Sequence, residues 1–367
     1  MTSNIKRLAI IIDTLNGGGA EKVCLTLFNA MNAKGIESHL IVLKKKCDYD
    51  LQREQNIHFV FDNPKIKLYK KSVQKDAAEK IELLAKNLGN FDACLSNLDE
   101  THAIVSKTNL PNCFYVIHNS VEKTLKTQAR LGPFKYFRNL RAIKSLNRKN
   151  LITVSEGIKK ELENSSFVNP KSITTIYNPV DINLIQEKAN AKTESIPSQP
   201  YVIFLGRVAK QKRIDILIQS FQLLESDVDL VILTNNRKKL DRIINKNNVK
   251  NKNIIVENFK QNPYPWIKNA KALVLSSDYE GLGMVLIEAL ACGTPVASTN
   301  CPHGPNEVLT GDLAQLLATP GDPVELAKKI DLAISTEVDT VEILNKVNLH
   351  TVLNHYLIEF QREINNR

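Results

Sequence analysis

Two glutamates, Glu280 and Glu288, stand in the stretch SSDYEGLGMVLIEALACGTPVAST at 276–299. An apolar strand is expected to end at Ser276. Glu280, Gly281 and Gly283 follow in a loop, and a helix starts near Met284 that carries Glu288 in its second turn. Backbone N–H groups at a helix start have no partner inside the helix, so they attract anions or sugar oxygens. A carboxylate accepts two hydroxyl hydrogens at once. Both glutamates can then reach one polyhydroxylated ligand from one side. Taken alone, the pair reads as two solvated glutamates on an ordinary βα unit; the glycine loop and the helix start tip it towards binding.

A second constellation is FLGRVAKQKRIDILIQSF at 204–221. A strand runs into Gly206 and Arg207, and Lys212 arrives as a helix begins. Two cations beside a helix start make a clamp for a diphosphate, Arg as a planar fork and Lys as a point charge. Such a clamp neutralises a leaving diphosphate without a metal ion, each well-placed donor contributing roughly 3–4 kcal/mol. By itself this pair reads equally as exposed charge. Arg213 reads as a solvated cation or as support for the same phosphate. Third, NGGGAEK at 16–22 joins the first strand to the first helix. Lys22 falls where a dinucleotide fingerprint needs its third glycine, yet Gly17, Gly18 and Gly19 let the backbone approach a phosphate or a sugar closely.

These residues need rigid elements to hold them. At 367 residues the chain suits two α/β domains of about 150–200 residues each. Strands are predicted at Leu8–Ile12, Ser38–Leu43, His58–Phe61, Asp92–Ser96, Cys113–His118 and Leu151–Ser155. The same alternation restarts with Tyr201–Leu205, Asp229–Leu233, Asn253–Glu257, Ala272–Ser276 and Pro295–Ser298, with helices between. Alternation of this kind implies parallel sheets covered on both faces, hence an α/β fold of two Rossmann-like domains facing across a cleft. The polar, proline-bearing stretch after Asp181 marks the boundary, giving domains 1–185 and 186–367, with the last helix expected to pack back on the first. No apolar run reaches the roughly 18–20 residues of a spanning helix, and the first apolar run reads as a buried strand rather than a signal peptide. The six cysteines form no C-x-x-C pair and read as reduced and packed in a cytoplasmic protein. The histidines lack zinc-ligand spacing, so no metal and no cofactor is expected.

Charge is unevenly spread. Residues 1–199 carry 30 Lys+Arg against 20 Asp+Glu, while residues 200–367 carry 19 of each, so the whole excess of +10 lies in the first half. Nine cations and no acid fall in 123–149. On a helix Tyr136, Leu140 and Ile143 share one side, while Lys135, Arg138, Arg141, Lys144 and Arg148 share the other. Phe134 and Phe137 fall on the cationic side, which suits insertion into an anionic interface better than docking on a domain. The alternative is a solvated basic face. Nucleic acid is not expected as a partner, because no binding module is recognisable.

Together the three constellations occur in the order found in the family-4 retaining glycosyltransferases of the GT-B fold, which the chain resembles over nearly its whole length. ITVSEGIKKEL at 152–162, YNPVD at 177–181 and GPNEVL at 304–309 add to the likeness, which is strongest over 201–309. The resemblance implies a retaining hexosyltransferase that moves a sugar from a nucleotide donor to a glycan or lipid-linked acceptor. UDP-hexose or UDP-N-acetylhexosamine is the expected donor, and a bacterial surface glycan such as lipopolysaccharide or capsule the expected product. It implies that Arg207 and Lys212 hold the donor diphosphate beside Gly206. Glu280, with the backbone amides of Gly281, Leu282, Gly283 and Met284, would bind the sugar hydroxyls, and Glu288 the ribose. His118 would reach the sugar from the opposite domain, and Gly17 to Gly19 would close over phosphates or acceptor. Two departures touch base recognition: Thr234-Asn235-Asn236 stands where many relatives have G-x-G, and Asn258 precedes Phe259 where a glycine is usual. A front-face displacement is implied, without a dedicated nucleophile. A nucleotide-sugar epimerase of the same plan and a non-catalytic nucleotide-sugar or nucleic-acid binder are the rival readings; loss of transfer in Glu280→Ala or Lys212→Ala with the fold intact separates an enzyme from a binder.

Overall fold

The computed structural model describes residues 5–49, 55–193, 196–249, 252–337 and 339–366. Its chain divides into two compact units. One comprises Met1–Pro179 with Leu349–Arg367, the other Val180–Asn348.

The first unit is built on β1 (Arg7–Ile12), β2 (Glu37–Lys44), β3 (Ile57–Phe61), β4 (Ala93–Asn97), β5 (Cys113–Ile117), β6 (Asn150–Thr153) and β7 (Ser172–Thr175). They form one sheet in the order β3-β2-β1-β4-β5-β6-β7, parallel at each pairing. The second unit holds β8 (Tyr201–Leu205), β9 (Asp229–Leu233), β10 (Ile254–Glu257), β11 (Ala272–Leu275), β12 (Val296–Thr299) and β13 (Leu317–Ala318). Their order is β10-β9-β8-β11-β12-β13, again parallel throughout. Both are Rossmann-like doubly wound sheets. Central strands such as β1 (RLAIII) and β8 (YVIFL) are continuous apolar runs because helices cover both faces and leave no solvent side for a polar residue.

Two edge strands, β7 and β13, escape the sequence reading. Their residues, SITT and LA, carry too few apolar positions to register as strands. The stretch read as linker also begins with a helix, Ile182–Ala189. Asp181 caps it by accepting from the Leu184 N–H at 3.0 Å, and Ile185 and Ala189 are buried. Lys188 O accepts from Asn262 Nδ2 at 2.9 Å, so this helix is a packed part of the second unit.

The helix Leu349–Asn365 completes the first unit. Phe360 lies 5.2 Å from Phe114 of β5, centroid to centroid. Thr174 Oγ1 donates to Glu359 Oε1 at 3.2 Å, and Lys171 Nζ pairs with Glu363 Oε1 at 2.7 Å.

Candidate functional site

In a doubly wound sheet, ligands gather outside the carboxyl ends of the strands where the order reverses. In the second unit that point lies between β8 and β11, adjacent in the sheet but 71 residues apart at their starts. After β8 the chain passes Gly206 and the exposed Arg207 into a short turn, Lys210–Lys212, and then the helix Ile214–Gln222. After β11 it passes Ser276 and Ser277 to Glu280. Gly283, left-handed at φ 80°, then opens the buried helix Met284–Ala291.

The two loops meet. Lys212 Nζ lies 2.6 Å from Glu280 Oε1, their side chains 17% and 10% exposed. Ser277 Oγ donates to the same carboxylate oxygen at 2.5 Å. The backbone is stitched as well: Ser276 Oγ donates to Lys212 O at 2.8 Å, Asp278 N to Gln211 O at 2.8 Å, and Gln211 Nε2 to Tyr279 O at 2.5 Å. The sequence treats Lys212 as phosphate clamp and Glu280 as hydroxyl acceptor; they are one ion pair. A cation held against a hydroxyl-accepting carboxylate suits a ligand in which a phosphate adjoins a sugar. Glu280 N donates to Pro302 O at 2.9 Å. Burial, and then the Glu280 charge, push the Cys301 thiol up to about 12, so it lines the site as a neutral group. Gly304, at φ 87°, packs on the Glu280–Met284 loop so closely that a Cβ there would sit 2.5 Å from Leu282 Cα.

Glu288 is buried on the Met284–Ala291 helix. Arg207 makes no ion pair among the described residues. Phe259, just past β10, is 48% exposed, a free aromatic face. Asn236 accepts from Lys239 N at 3.2 Å and caps the helix Arg237–Asn247, which accounts for one residue of the Thr234-Asn235-Asn236 departure. The Thr234 hydroxyl is buried without a partner. Arg213 is not the solvated cation that its neighbourhood suggests. It bonds both oxygens of Asp215 and reaches Asp278 at 3.0 Å.

In the first unit the reversal lies between β1 and β4. His118, just past β5, is half-buried, and its Nε2 lies 2.9 Å from Asn97 Oδ1. Asn97 Nδ2 donates to Ile11 O at 3.2 Å, so the amide oxygen faces the imidazole and His118 Nε2 carries the proton. Burial pushes His118 down to about 4; near neutral pH it is an uncharged imidazole. Asp13, at the end of β1, accepts from the Thr101 hydroxyl, and burial raises its carboxyl to about 7 against that bond. The sequence reading missed Asp13, Asn97 and Ser277, whose one legible signal is a polar residue ending or directly following an apolar strand. Gly17 is left-handed at φ 61°, and Gly18 precedes the helix Gly19–Ala33 without a side-chain cap. The loop is anchored by Leu15 N to Lys46 O at 2.9 Å and Asp48 N to Leu15 O at 2.8 Å.

The basic segment folds as two helices, Val121–Ala129 and Pro133–Lys144, broken at Gly132, which has φ 110°. Ile143 is buried, and Phe134 and Phe137 are 71% and 62% exposed beside exposed Lys135, Arg141 and Lys144. Arg138 instead lies over the Tyr69 ring at 5.2 Å. Arg148 lies beyond the helix with φ 58°, so it does not share the helical face assigned to it.

Comparison with known proteins follows these lines. The model for "Glycosyltransferase Family 4" matches residues 17–184 and that for "Glycosyl transferases group 1" matches residues 185–348. The chain is similar to a Campylobacter jejuni N-acetylgalactosamine-N,N'-diacetylbacillosaminyl-diphospho-undecaprenol 4-alpha-N-acetylgalactosaminyltransferase. The two are 28% identical over 336 residues, covering 85% of this chain and 86% of that one. A lipopolysaccharide 1,6-galactosyltransferase of Escherichia coli is 27% identical over 51% of this chain and 53% of its own. Among solved structures, a Rickettsia africae glycosyltransferase superposes with a TM-score of 0.76 at 16% identity, covering 99% of this chain and all of that one. An Anabaena protein in complex with UDP and glucose gives 0.70 at 16% identity, covering 98% of each.

Proposed function

The chain belongs to the family-4 glycosyltransferases of the GT-B fold, and from that premise we propose that it transfers a hexose or N-acetylhexosamine from a UDP-sugar to a glycan or lipid-linked acceptor, with retention and without a metal ion. The observation that carries this reading is the Lys212–Glu280 pair at the β8/β11 reversal. Lys212 and Arg207 absorb the charge of the departing diphosphate. Glu280 and the backbone N–H groups of Gly281 to Met284 accept and donate to the sugar, Glu288 takes the ribose hydroxyls, and Phe259 lies under the base. In the first unit, the neutral His118 and the Gly17–Gly19 loop offer an imidazole and backbone N–H groups to a sugar or a phosphate. The bond from the anomeric carbon to the diphosphate breaks and the bond to the acceptor oxygen forms on the same face. The acceptor's proton passes to a diphosphate oxygen, so no enzyme nucleophile is consumed.

The lipid-linked acceptor is supported by the name of the Campylobacter relative, and the uridine base by the Anabaena complex. Among the described residues no helix is long and apolar enough to cross a membrane. Phe134 and Phe137, flanked by Lys135, Arg141 and Lys144, would instead place the first unit on an anionic membrane surface at its cytoplasmic face, beside a lipid-borne acceptor. Aromatic insertion and charge attraction then act together. Equal sedimentation with neutral and anionic vesicles would remove this part of the reading.

The test of the reaction is a nucleotide-release assay with a panel of nucleotide sugars in the presence of a chelator, followed by proton NMR of the product's anomeric centre. Transfer that disappears on chelation, or an inverted product, would overturn the mechanism. Donor consumption without acceptor would mean an epimerase.

A further inference from the structure

Arg213 follows Lys212 in the chain and bonds Asp278, two residues before Glu280, without belonging to their pair. Its backbone is left-handed, φ 45° and ψ 50°, a region that side chains other than glycine rarely adopt. Something must hold it there, and its guanidinium supplies that hold. Nε lies 3.1 and 3.2 Å from the two Asp215 oxygens, Nη2 lies 2.9 Å from Asp215 Oδ2, and Nη1 lies 3.0 Å from Asp278 Oδ1. Asp215 stands in the first turn of the helix after β8, while Asp278 stands between β11 and Glu280. One rigid fork therefore ties the Lys212 turn to the segment that delivers Glu280, across the point where the sheet order reverses. Burial would raise the Asp215 carboxyl, yet the hydrogen bonds and charge of Arg213 bring it below its ordinary value. Two carboxylates already hold the guanidinium in place, which separates its role from those of Lys212 and Arg207.

We propose that Arg213 is a positioning residue for the transfer step: by bridging Asp215 and Asp278 it fixes the Lys212 ammonium against Glu280, and it acts on kcat rather than on donor affinity. Lysine cannot replace it, because a point charge cannot bond two carboxylates in one plane. The inference rests on the reading of Lys212 and Glu280 as reaction-site groups, and its test keeps the two apart.

Steady-state kinetics are measured for Lys212→Ala, Arg213→Gly, Arg213→Lys and Asp278→Ala, each with a thermal melt. Glycine relieves the left-handed backbone, so Arg213→Gly removes the fork while easing the conformation. A displacement of a reacting group by a fraction of an ångström to one ångström reduces turnover by about ten- to a hundredfold. We expect Arg213→Gly to lower kcat by about tenfold or more with donor KM within about twofold. Arg213→Lys should recover only a minor part of that loss. Asp278→Ala cuts only the bridge to the Glu280 segment and should lower kcat in the same direction. If Lys212→Ala abolishes transfer but Arg213→Gly or Asp278→Ala turns over like the parent, or shows raised KM with unchanged kcat, the positioning role is refuted. A fully active Lys212→Ala refutes the proposed reaction site itself. Should Arg213→Gly fail to fold, Asp278→Ala decides alone.

Discussion

Replacing Lys212 and Glu280 singly and together separates the charge of the pair from its packing. In Lys212→Met the Glu280 carboxylate, with a side chain only 10% exposed, loses its countercharge and retains the Ser277 hydroxyl at 2.5 Å. Removing one partner of a buried pair costs about 3–5 kcal/mol. At 17% and 10% exposure the pair is not fully sealed, so the lower end, about 3 kcal/mol, applies. For a unit of this size each kcal/mol moves a melting temperature by about 2–4 °C, giving a drop of about 6–12 °C. Glu280→Gln keeps an oxygen that accepts from both donors and should cost less, about 1–2 kcal/mol. The double variant Lys212→Met/Glu280→Gln is neutral again. It should therefore be more stable than Lys212→Met alone, with a coupling of about 1–3 kcal/mol. Activity should not follow. Loss of a charge-stabilising donor lowers kcat by about 10²–10³, and the double variant has no cation to restore it. Calorimetry that resolves the transitions of the two units, together with nucleotide release, measures both quantities. A Lys212→Met protein that melts within about a degree of the parent, or a double variant that regains a tenth of parental kcat or more, would refute the argument that this pair is both buried and required.

Three further outcomes follow from other parts of the molecule. Burial, with the neighbouring His118, pushes His102 down to about 3, and burial alone pushes His118 to about 4, both from 6.5. The unfolded chain therefore takes up these protons first, and stability is lost as pH falls from 6.5 towards 4 and 3. His102→Gln should remove on the order of 3 kcal/mol of that acid dependence, read from urea melts between pH 7 and 4; an unchanged slope contradicts it. Asp13 has the opposite sign. Its carboxyl rises from 3.8 to about 7, so the folded state resists its ionisation and stability declines as pH rises through that window. Asp13→Asn should gain about 1–3 kcal/mol at pH 8.5 and almost nothing at pH 4; equal melts at both pH values would be the contrary result. Gly304→Ala puts a Cβ 2.5 Å from Leu282 Cα at φ 87°. It should cost about 2 kcal/mol or more and raise donor KM through the Glu280–Met284 loop, whereas parental KM and melting would show that the loop yields freely.

Much of the fold was legible because parallel strands covered on both faces write themselves as unbroken apolar runs. Tyr201–Leu205 and Asp229–Leu233 are read to the residue. The linker reading of the Ile182–Ala189 helix failed because only Ile185 and Ala189 face the core, too few to set a helical period. Its cap, Asp181, was the available signal. At the site, residue types and spacing indicated Lys212 and Glu280, but not that they touch. Their contact depends on β8 and β11 being sheet neighbours, a fact of topology that sequence distance conceals. The hold on Arg213 was concealed for the same reason, since one of its two carboxylates lies 65 positions away.

The return of Leu349–Asn365 to the sheet of the first unit has a bearing on biosynthesis. The unit translated first is the one finished last. Phe114, and the sheet surface on which Phe360 lies, must await a helix still to be translated while Val180–Asn348 is made, on the order of 10–30 s at about 5–20 residues per second. During that interval a nascent chain presents an unsealed apolar groove, a natural hold for a ribosome-associated chaperone. Supplying the 349–365 peptide in trans to a chain ending at 348 should close it.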